Sequence, residues 1–516
     1  MTDRSKAISV LTMSTLAFTV CFACWMLNGV LVTFLVEHDV FKWTETQIGW
    51  LIGVPVLTGS LVRLPVGLLT DKYGGRIVFT VLMLVSAVPM YLLSKASSYG
   101  QFLLGSLGFG LAGASFAVGI AYTSVWFSKE RQGTALGIFG TGNAGSALTS
   151  MGAPFLLMKL TESATQLDGW RMLPKIYAAG LVAMTVVFWM FTYSRKVDNG
   201  NVAGLGARLE PLKNVRVWRF GLYYFLVFGG FVALSQWLIP YYVNAYPMSV
   251  TAAGLMASIF SLPSGVIRAL GGWMSDHFGA RRIMYWVLGS CAVCSLLLIV
   301  PRMEVELPGK GVMAARSGVV TSVSPESVGV GDRVYKLRSA EPGWRDIKSS
   351  GLLVFPTKAF WQTPVVKAGD RVQKKQLLAG GITHIHFQAN VWIFTALVFL
   401  VGFMMGIGKA AVYRHIPDYF PKAVGVVGGV VGVVGGLGGF FSPIIFGYLL
   451  EKSGIWTTCW MFLAAVSIAC LVWMHLVIQR MMRQQTPELM RRMETGGERL
   501  GVPAPVAVGV TYGASR

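Results

Sequence analysis

Residues 46–76 read TQIGWLIGVPVLTGSLVRLPVGLLTDKYGGR, and residues 251–281 read TAAGLMASIFSLPSGVIRALGGWMSDHFGAR. Thr46, Gly49, Arg63, Gly67, Asp71, Gly74 and Arg76 of the first stretch recur as Thr251, Gly254, Arg268, Gly272, Asp276, Gly279 and Arg281 of the second, each 205 residues later. Seven coincidences at one offset mark an internal repeat, so the chain is read as two homologous halves. Further on, Phe127, Lys129, Gly142 and Gly145 match Phe420, Lys422, Gly435 and Gly438, now 293 residues apart. The second offset exceeds the first by 88 residues, so the second half carries an insertion of about that size. The polar stretch 302–388 occupies the place where it must lie.

Outside that stretch the 516-residue chain is apolar, with 54% hydrophobic and 13% charged residues; a soluble domain carries about 25% charged residues. A helix needs about 20 apolar residues to span a bilayer. The blocks of suitable length are 7–36, 46–70, 77–95, 100–127, 133–159, 174–194, 218–246, 251–274, 283–301, 389–413, 423–450 and 455–478. The expectation is an all-α polytopic membrane protein of twelve spans in two pseudo-symmetric six-helix halves, with a small all-β domain inserted between helices 9 and 10. The domains follow as 1–196 (first bundle), 197–217 (cytoplasmic linker), 218–301 (start of the second bundle), 302–388 (insertion), 389–480 (rest of the second bundle) and 481–516 (cytoplasmic tail). The first block is too long for a signal h-region and lacks a small-residue cleavage site, so it is read as helix one.

The net charge of +21 is read as topology rather than nucleic-acid binding. Arg76, Lys129, Arg131, Arg195, Arg281 and Arg282 all fall in loops on one side, as the positive-inside tendency requires. Both termini are therefore expected in the cytoplasm and 302–388 outside it. Cys21, Cys24, Cys291, Cys294, Cys459 and Cys470 all lie in apolar blocks, where small polarisable packing residues are expected rather than redox or zinc sites. No catalytic dyad, metal cluster or phosphate loop is present in the sequence, so neither an enzyme, a metal nor a cofactor is expected.

The repeat contains G-x-x-x-D-x-x-G-x-R twice: Gly67, Asp71, Gly74 and Arg76, then Gly272, Asp276, Gly279 and Arg281. Gly67 and Gly272 are read at helix ends. Asp71 and Asp276 are read as starting the connecting turns, where a carboxylate can cap the next helix or pair with a base. At these residues the chain resembles the major facilitator superfamily, which implies a gating role for the motif and no contact with substrate.

Ionisable side chains within spans are costly and usually functional. Arg63 and Arg268 occupy equivalent places in blocks two and eight, and Lys409 lies late in block ten. The pseudo-twofold axis would aim both arginines into a central cavity, where they repel unless an anion sits between them. A planar guanidinium presents a fork of donors to a planar oxyanion such as nitrate, nitrite or carboxylate. The competing reading is snorkelling to headgroups or an acidic partner, and the blocks offer no obvious one.

Glycine is the second feature. Block five contains Gly137, Gly140, Gly142, Asn143 and Gly145; block eleven contains Gly425, Gly428, Gly429, Gly432, Gly435, Gly436, Gly438 and Gly439. Such spacing lets helix backbones approach closely, with Pro154 and Pro443 following where kinks are expected. Asn143 is a polar side chain able to bond either substrate or a neighbouring helix. With both arginines, these two runs resemble the paired signatures of the nitrate/nitrite porter (NarK-type) family, over about 1–300 and 389–480. That resemblance implies transport of nitrate or nitrite by alternating access in a cell (inner) membrane, by a chain functional as a monomer. It implies an anion clamped by Arg63 and Arg268, read by Asn143, and sandwiched by Phe116 and Tyr224. Lys409 and His415, in Gly406-Ile-Gly408-Lys409-Ala-Ala-Val-Tyr413-Arg414-His415, are the coupling candidates, with His415 read as a solvated loop residue. Proton-coupled import is expected; nitrate/nitrite antiport, transport of a planar carboxylate and a membrane anion sensor are the alternatives.

The insertion has thirteen Lys and Arg against seven acids. Val328-Gly-Val-Gly331-Asp332-Arg333-Val334 and Val366-Lys-Ala-Gly369-Asp370-Arg371-Val372 place Gly-Asp after β-branched runs, a turn signal. A lipoyl/biotinyl-like barrel or sandwich is expected, without the lysine turn that would take a covalent cofactor.

Overall fold

The two copies of the repeat fold as two interrupted helices, and each begins at a hydroxyl cap. Thr44 opens the first with a reciprocal capping box to Gln47. Ser249 stands at the equivalent place in the second copy and accepts from the Ala252 amide. Both hydroxyls satisfy a backbone N–H that the first helical turn leaves without a partner.

The computed structural model describes residues 2–195, 213–246, 248–300, 303–339, 357–387, 390–420 and 424–485. The expected linker 197–217 and tail 481–516 therefore fall largely outside the described residues. Helix α1 spans Asp3–Glu37 and α2 spans Glu45–Tyr73. They are followed by α3 (Gly75–Leu93), α4 (Tyr99–Ser124) and α5, which is built from Lys129–Gly140, Thr141–Ala144 and Gly145–Leu160. Next come α6 (Leu167–Phe191), α7 (Val215–Ala245), α8 (Val250–Val266 with Arg268–Phe278) and α9 (Ala280–Leu297). The last are α10 (Val391–Tyr419), α11 (Val424–Ser453) and α12 (Thr458–Gln485). Two compact units divide the chain, Met1–Ile468 and Ala469–Arg516.

Among the described residues ten helices are long and apolar enough to cross a membrane, and the bent pair in α8 makes up to eleven. The remaining expected span, 133–159, is helical but is not among them. The Gly, Ser, Thr and Asn content of that stretch, and the Lys129-Glu130-Arg131-Gln132 start of the helix α5 that contains it, dilute its apolar character.

The helix breaks have local causes. In α2 the helix stops at Leu61 and resumes at Arg63. Pro65 has no N–H to give the Leu61 carbonyl, so the regular ladder fails there. In α8 the break falls at Ile267, again just before the arginine, with a bend of 47°. Gly74 and Gly279 close the two helices at φ 86° and 85°, a left-handed conformation that glycine adopts without strain. These are the glycines at the helix ends. Gly67 and Gly272 lie inside their helices instead, and a Cβ at either would meet nothing within 4 Å. Asp71 and Asp276 likewise sit in the last turns of α2 and α8 rather than in the connecting turns.

Val81, Val85, Val88 and Leu92 form an exposed stripe on α3, and Val182, Val186, Trp189 and Met190 do so on α6. Faces turned to lipid tails have this apolar character. By contrast, every residue of α7 from Phe231 to Val243 is buried. Across the two halves α2 packs on α11 and α5 packs on α8. Glycine makes these contacts close: a Cβ at Gly53 would lie 2.6 Å from the Phe440 carbonyl oxygen, and one at Gly265 would lie 2.8 Å from the Ala144 nitrogen.

Between α9 and α10 the chain forms β1 (Met303–Met313), β2 (Gly318–Ser324), β3 (Ser327–Val330), β4 (Arg333–Lys336), β5 (Thr357–Pro364), β6 (Arg371–Val372) and β7 (Leu377–Phe387). The strands make two antiparallel sheets, ordered β1-β7-β5 and β4-β3-β2-β6. Val320, Val328, Val330, Val372 and Leu378 lie in their shared core. Gly331 and Gly369, both of positive φ, form the two Gly-Asp turns and donate to the carbonyls of Val319 and Val320 on β2.

Candidate functional site

Helix irregularity converges on one level of the bundle. α1 breaks at Met26, α2 at Val62 and α8 at Ile267. α4 tightens to a 3-10 turn over Gly110–Ala114, α5 does so over Thr141–Ala144, and α7 widens to a π-helix over Phe225–Gly230. Irregular backbone at membrane depth is tolerated where protein or a cavity surrounds it, because its freed polar groups then find partners. Arg63 supplies donors to one such carbonyl, that of Gly113 in the α4 turn, and to one in the regular helix α11. Its Nη1 donates to the Gly432 carbonyl at 2.9 Å, and its Nε and Nη2 donate to the Gly113 carbonyl at 3.4 and 3.5 Å.

Arg63 is 5% exposed, so it does not snorkel. The rings of Phe228, Phe116 and Trp25 lie 5.2, 5.7 and 5.7 Å from its guanidinium carbon. Arg268 approaches the same Phe116 ring, at 5.1 Å, and the Tyr413 ring at 5.6 Å. Its Nη1 is buried and has no hydrogen-bond partner among the described residues. Neither arginine forms an ion pair among the described residues.

Each arginine reaches the glycine run of the opposite half. Arg63 bonds to Gly432 of α11, while Arg268 lies against Gly140 of α5, where a Cβ would press to 3.2 Å from its Cδ. Gly435 leaves room for the Tyr224 ring in the same way, Gly436 for Ser60, Gly142 for Phe18, and Gly438 and Gly439 for Phe225 and Val232 of α7. Gly145 sits against the backbone of α1 at Thr19.

The Phe116 ring is approached by both arginines. Tyr224 stacks on Phe228 at 5.0 Å and meets Tyr413 edge-on at 5.0 Å. The Phe228 ring faces Arg63. The Asn143 Nδ2 donates to the Gly140 carbonyl of its own helix at 2.9 Å, which leaves the buried Oδ1 without a partner among the described residues. Sequence reasoning missed Trp25, Phe228 and Tyr413. Tyr413 had a signal, since it stands four residues after Lys409 and so shares its helix face. Its hydroxyl donates to the Gly428 carbonyl at 3.0 Å.

Lys409 is fully buried, with Nζ 3.4 Å from the centroid of Phe231 and no hydrogen-bond partner among the described residues. His415 is not a solvated loop residue: it lies in α10, is 8% exposed and stacks on Phe220 at 5.6 Å. Of the repeated G-x-x-x-D-x-x-G-x-R motif, Asp276 pairs with Arg414 of α10 at 2.6 Å, and Arg76 lies over Trp189 at 4.1 Å. Arg281 lies at the start of α9.

The sequence matches the Major Facilitator Superfamily over residues 13–320 and 362–500. A probable nitrate/nitrite antiporter of Thermus thermophilus is 37% identical over 96% of this chain and 97% of its own. The chain belongs to the nitrate/nitrite porter family of that superfamily. The porter is also 25% identical to a nitrite extrusion protein of Bacillus subtilis, over 90% of this chain and 94% of that one. Its fold is shared by a bacterial homolog of the human lysosomal transporter Spinster, with a TM-score of 0.58 and 13% identity over 91% of this chain and 96% of that one. A nucleoside transporter matches with a TM-score of 0.56 and 12% identity over 91% and 99%. The family and these relatives are membrane transporters, not enzymes.

Proposed function

We propose that this porter carries nitrate or nitrite across the membrane by alternating access, with the anion held between Arg63 and Arg268. The observation that supports this best is a pair of repeat-related arginines approaching one aromatic ring with no described acidic partner. Two like charges near one ring repel each other, whereas an anion about 5 Å from a guanidinium gains roughly 3 kcal/mol at an effective dielectric of about 20. The anion therefore relieves the repulsion when it arrives. Phe116 and Phe228 supply flat faces that suit a planar ion. In this reading the 129–160 stretch is the twelfth span, both termini are cytoplasmic, and the strands between α9 and α10 lie outside the cytoplasm.

Lys409 is the candidate proton carrier for nitrate import, since it is a buried cation with no described carboxylate partner and lies on the α10 face that also carries Tyr413. The name of the 37% identical relative favours nitrate/nitrite exchange as the second reading. Counterflow of labelled nitrate in proteoliposomes tests the clamp, with nitrite and formate as competitors. Arg268→Lys keeps the charge and loses the fork, so uptake is expected to fall by roughly a hundredfold, the loss of about two charge-assisted hydrogen bonds. Undiminished uptake in that variant would reduce the clamp to a general positive field. Formate displacing nitrate as well as nitrite does would favour a carboxylate as substrate.

A further inference from the structure

Helix α7 is buried on every side from Phe231 to Val243, and two of its side chains there, Ser235 and Gln236, are neither apolar nor aromatic. Gln236 is 1% exposed, and both its amide nitrogen and its amide oxygen lack a hydrogen-bond partner among the described residues. Its stem packs on Gly29 of α1, where a Cβ would come within 2.7 Å of the Gln236 Cα and Cβ. The contact therefore joins the two halves. It lies beyond Phe231 and Trp25, on the side of the arginine level nearer the α1–α2 and α7–α8 connections. Ser235 and, on the adjacent α11, Ser442 also bury hydroxyls without a partner among the described residues. A buried amide with neither end bonded carries its full desolvation penalty. Such a group between two moving halves is most simply explained by a ligand that pairs with it during part of the cycle.

We infer that Gln236 forms a transit subsite, whose amide N–H groups hydrogen-bond the small oxyanion as it passes between α1 and α7 on the extracytoplasmic side of the arginine pair. This rests on the two-arginine reading of the site. A neutral donor suits a transit point, because it recognises an oxyanion without holding it as firmly as a guanidinium does.

The test uses full-length porter reconstituted in one orientation, with labelled nitrate presented to either face. Gln236→Met keeps the volume and removes the donors; Gln236→Asn keeps the amide one methylene short. Gln236→Met is expected to raise half-saturation at the outer face roughly ten- to hundredfold. The inner-face value should stay unchanged, the thermal unfolding midpoint should hold or rise because an unsatisfied buried amide is removed, and Gln236→Asn should recover part of the loss. Unchanged outer-face half-saturation, equal changes at both faces, or a lowered midpoint accompanying the loss would each overturn the subsite. Absence of nitrate transport in the unsubstituted porter would instead overturn the two-arginine reading on which it rests.

Discussion

Arg63 and Arg268 hold one position of the repeat but meet different surroundings. Arg63 gives its donors to the carbonyls of Gly113 and Gly432, whereas Arg268 keeps a buried Nη1 without a partner among the described residues. The first is anchored by protein and the second retains a donor for a ligand, which is why Arg268→Lys is the more informative substitution. Lys409 poses a separate question at the same scale. Lys409→Gln is expected to abolish nitrate uptake driven by an imposed proton gradient while sparing nitrate–nitrite exchange at constant pH. Parallel measurements of both modes check this, and an equal fall in both would make Lys409 a packing residue.

At the scale of elements, the glycine runs work by letting side chains from other helices occupy the space a Cβ would take. Gly435→Ala drives a methyl into the Tyr224 ring, and overpacking of this kind costs about 1–3 kcal/mol. Gly67→Ala meets nothing within 4 Å and serves as the control. Thermal unfolding in detergent should drop for the first and hold for the second, with transport following the same order. The apolar blocks read from sequence correspond to helices, but their breaks at Met26, Val62 and Ile267 did not show in hydropathy. Hydropathy averages over a window of residues, so it passes over Pro65, whose missing N–H leaves the Leu61 carbonyl outside the helical ladder.

At the scale of the molecule, β1 and β7 pair from Met303↔Phe387 onward, so the strands leave and rejoin the helices at neighbouring points. Replacing 303–387 by a short Gly/Ser linker is therefore expected to leave nitrate counterflow within about twofold, since the ends already lie as close as paired strands, about 5 Å. Loss of transport with Arg63→Ala tolerated would favour the sensor reading. The sequence alone determined that the chain is two related halves interrupted by an insertion, because residue identity at a constant offset survives without any knowledge of contacts. It also singled out Arg63 and Arg268, because a charge within an apolar block is costly wherever the block is placed. Only the tertiary structure decided that Phe228 and Tyr413 share the site, that Asn143 spends its nitrogen on its own helix, and that each arginine crosses to the other half's glycines. Those facts depend on how helices far apart in sequence are rotated and spaced against one another, and that is set by packing rather than by the local order of residues.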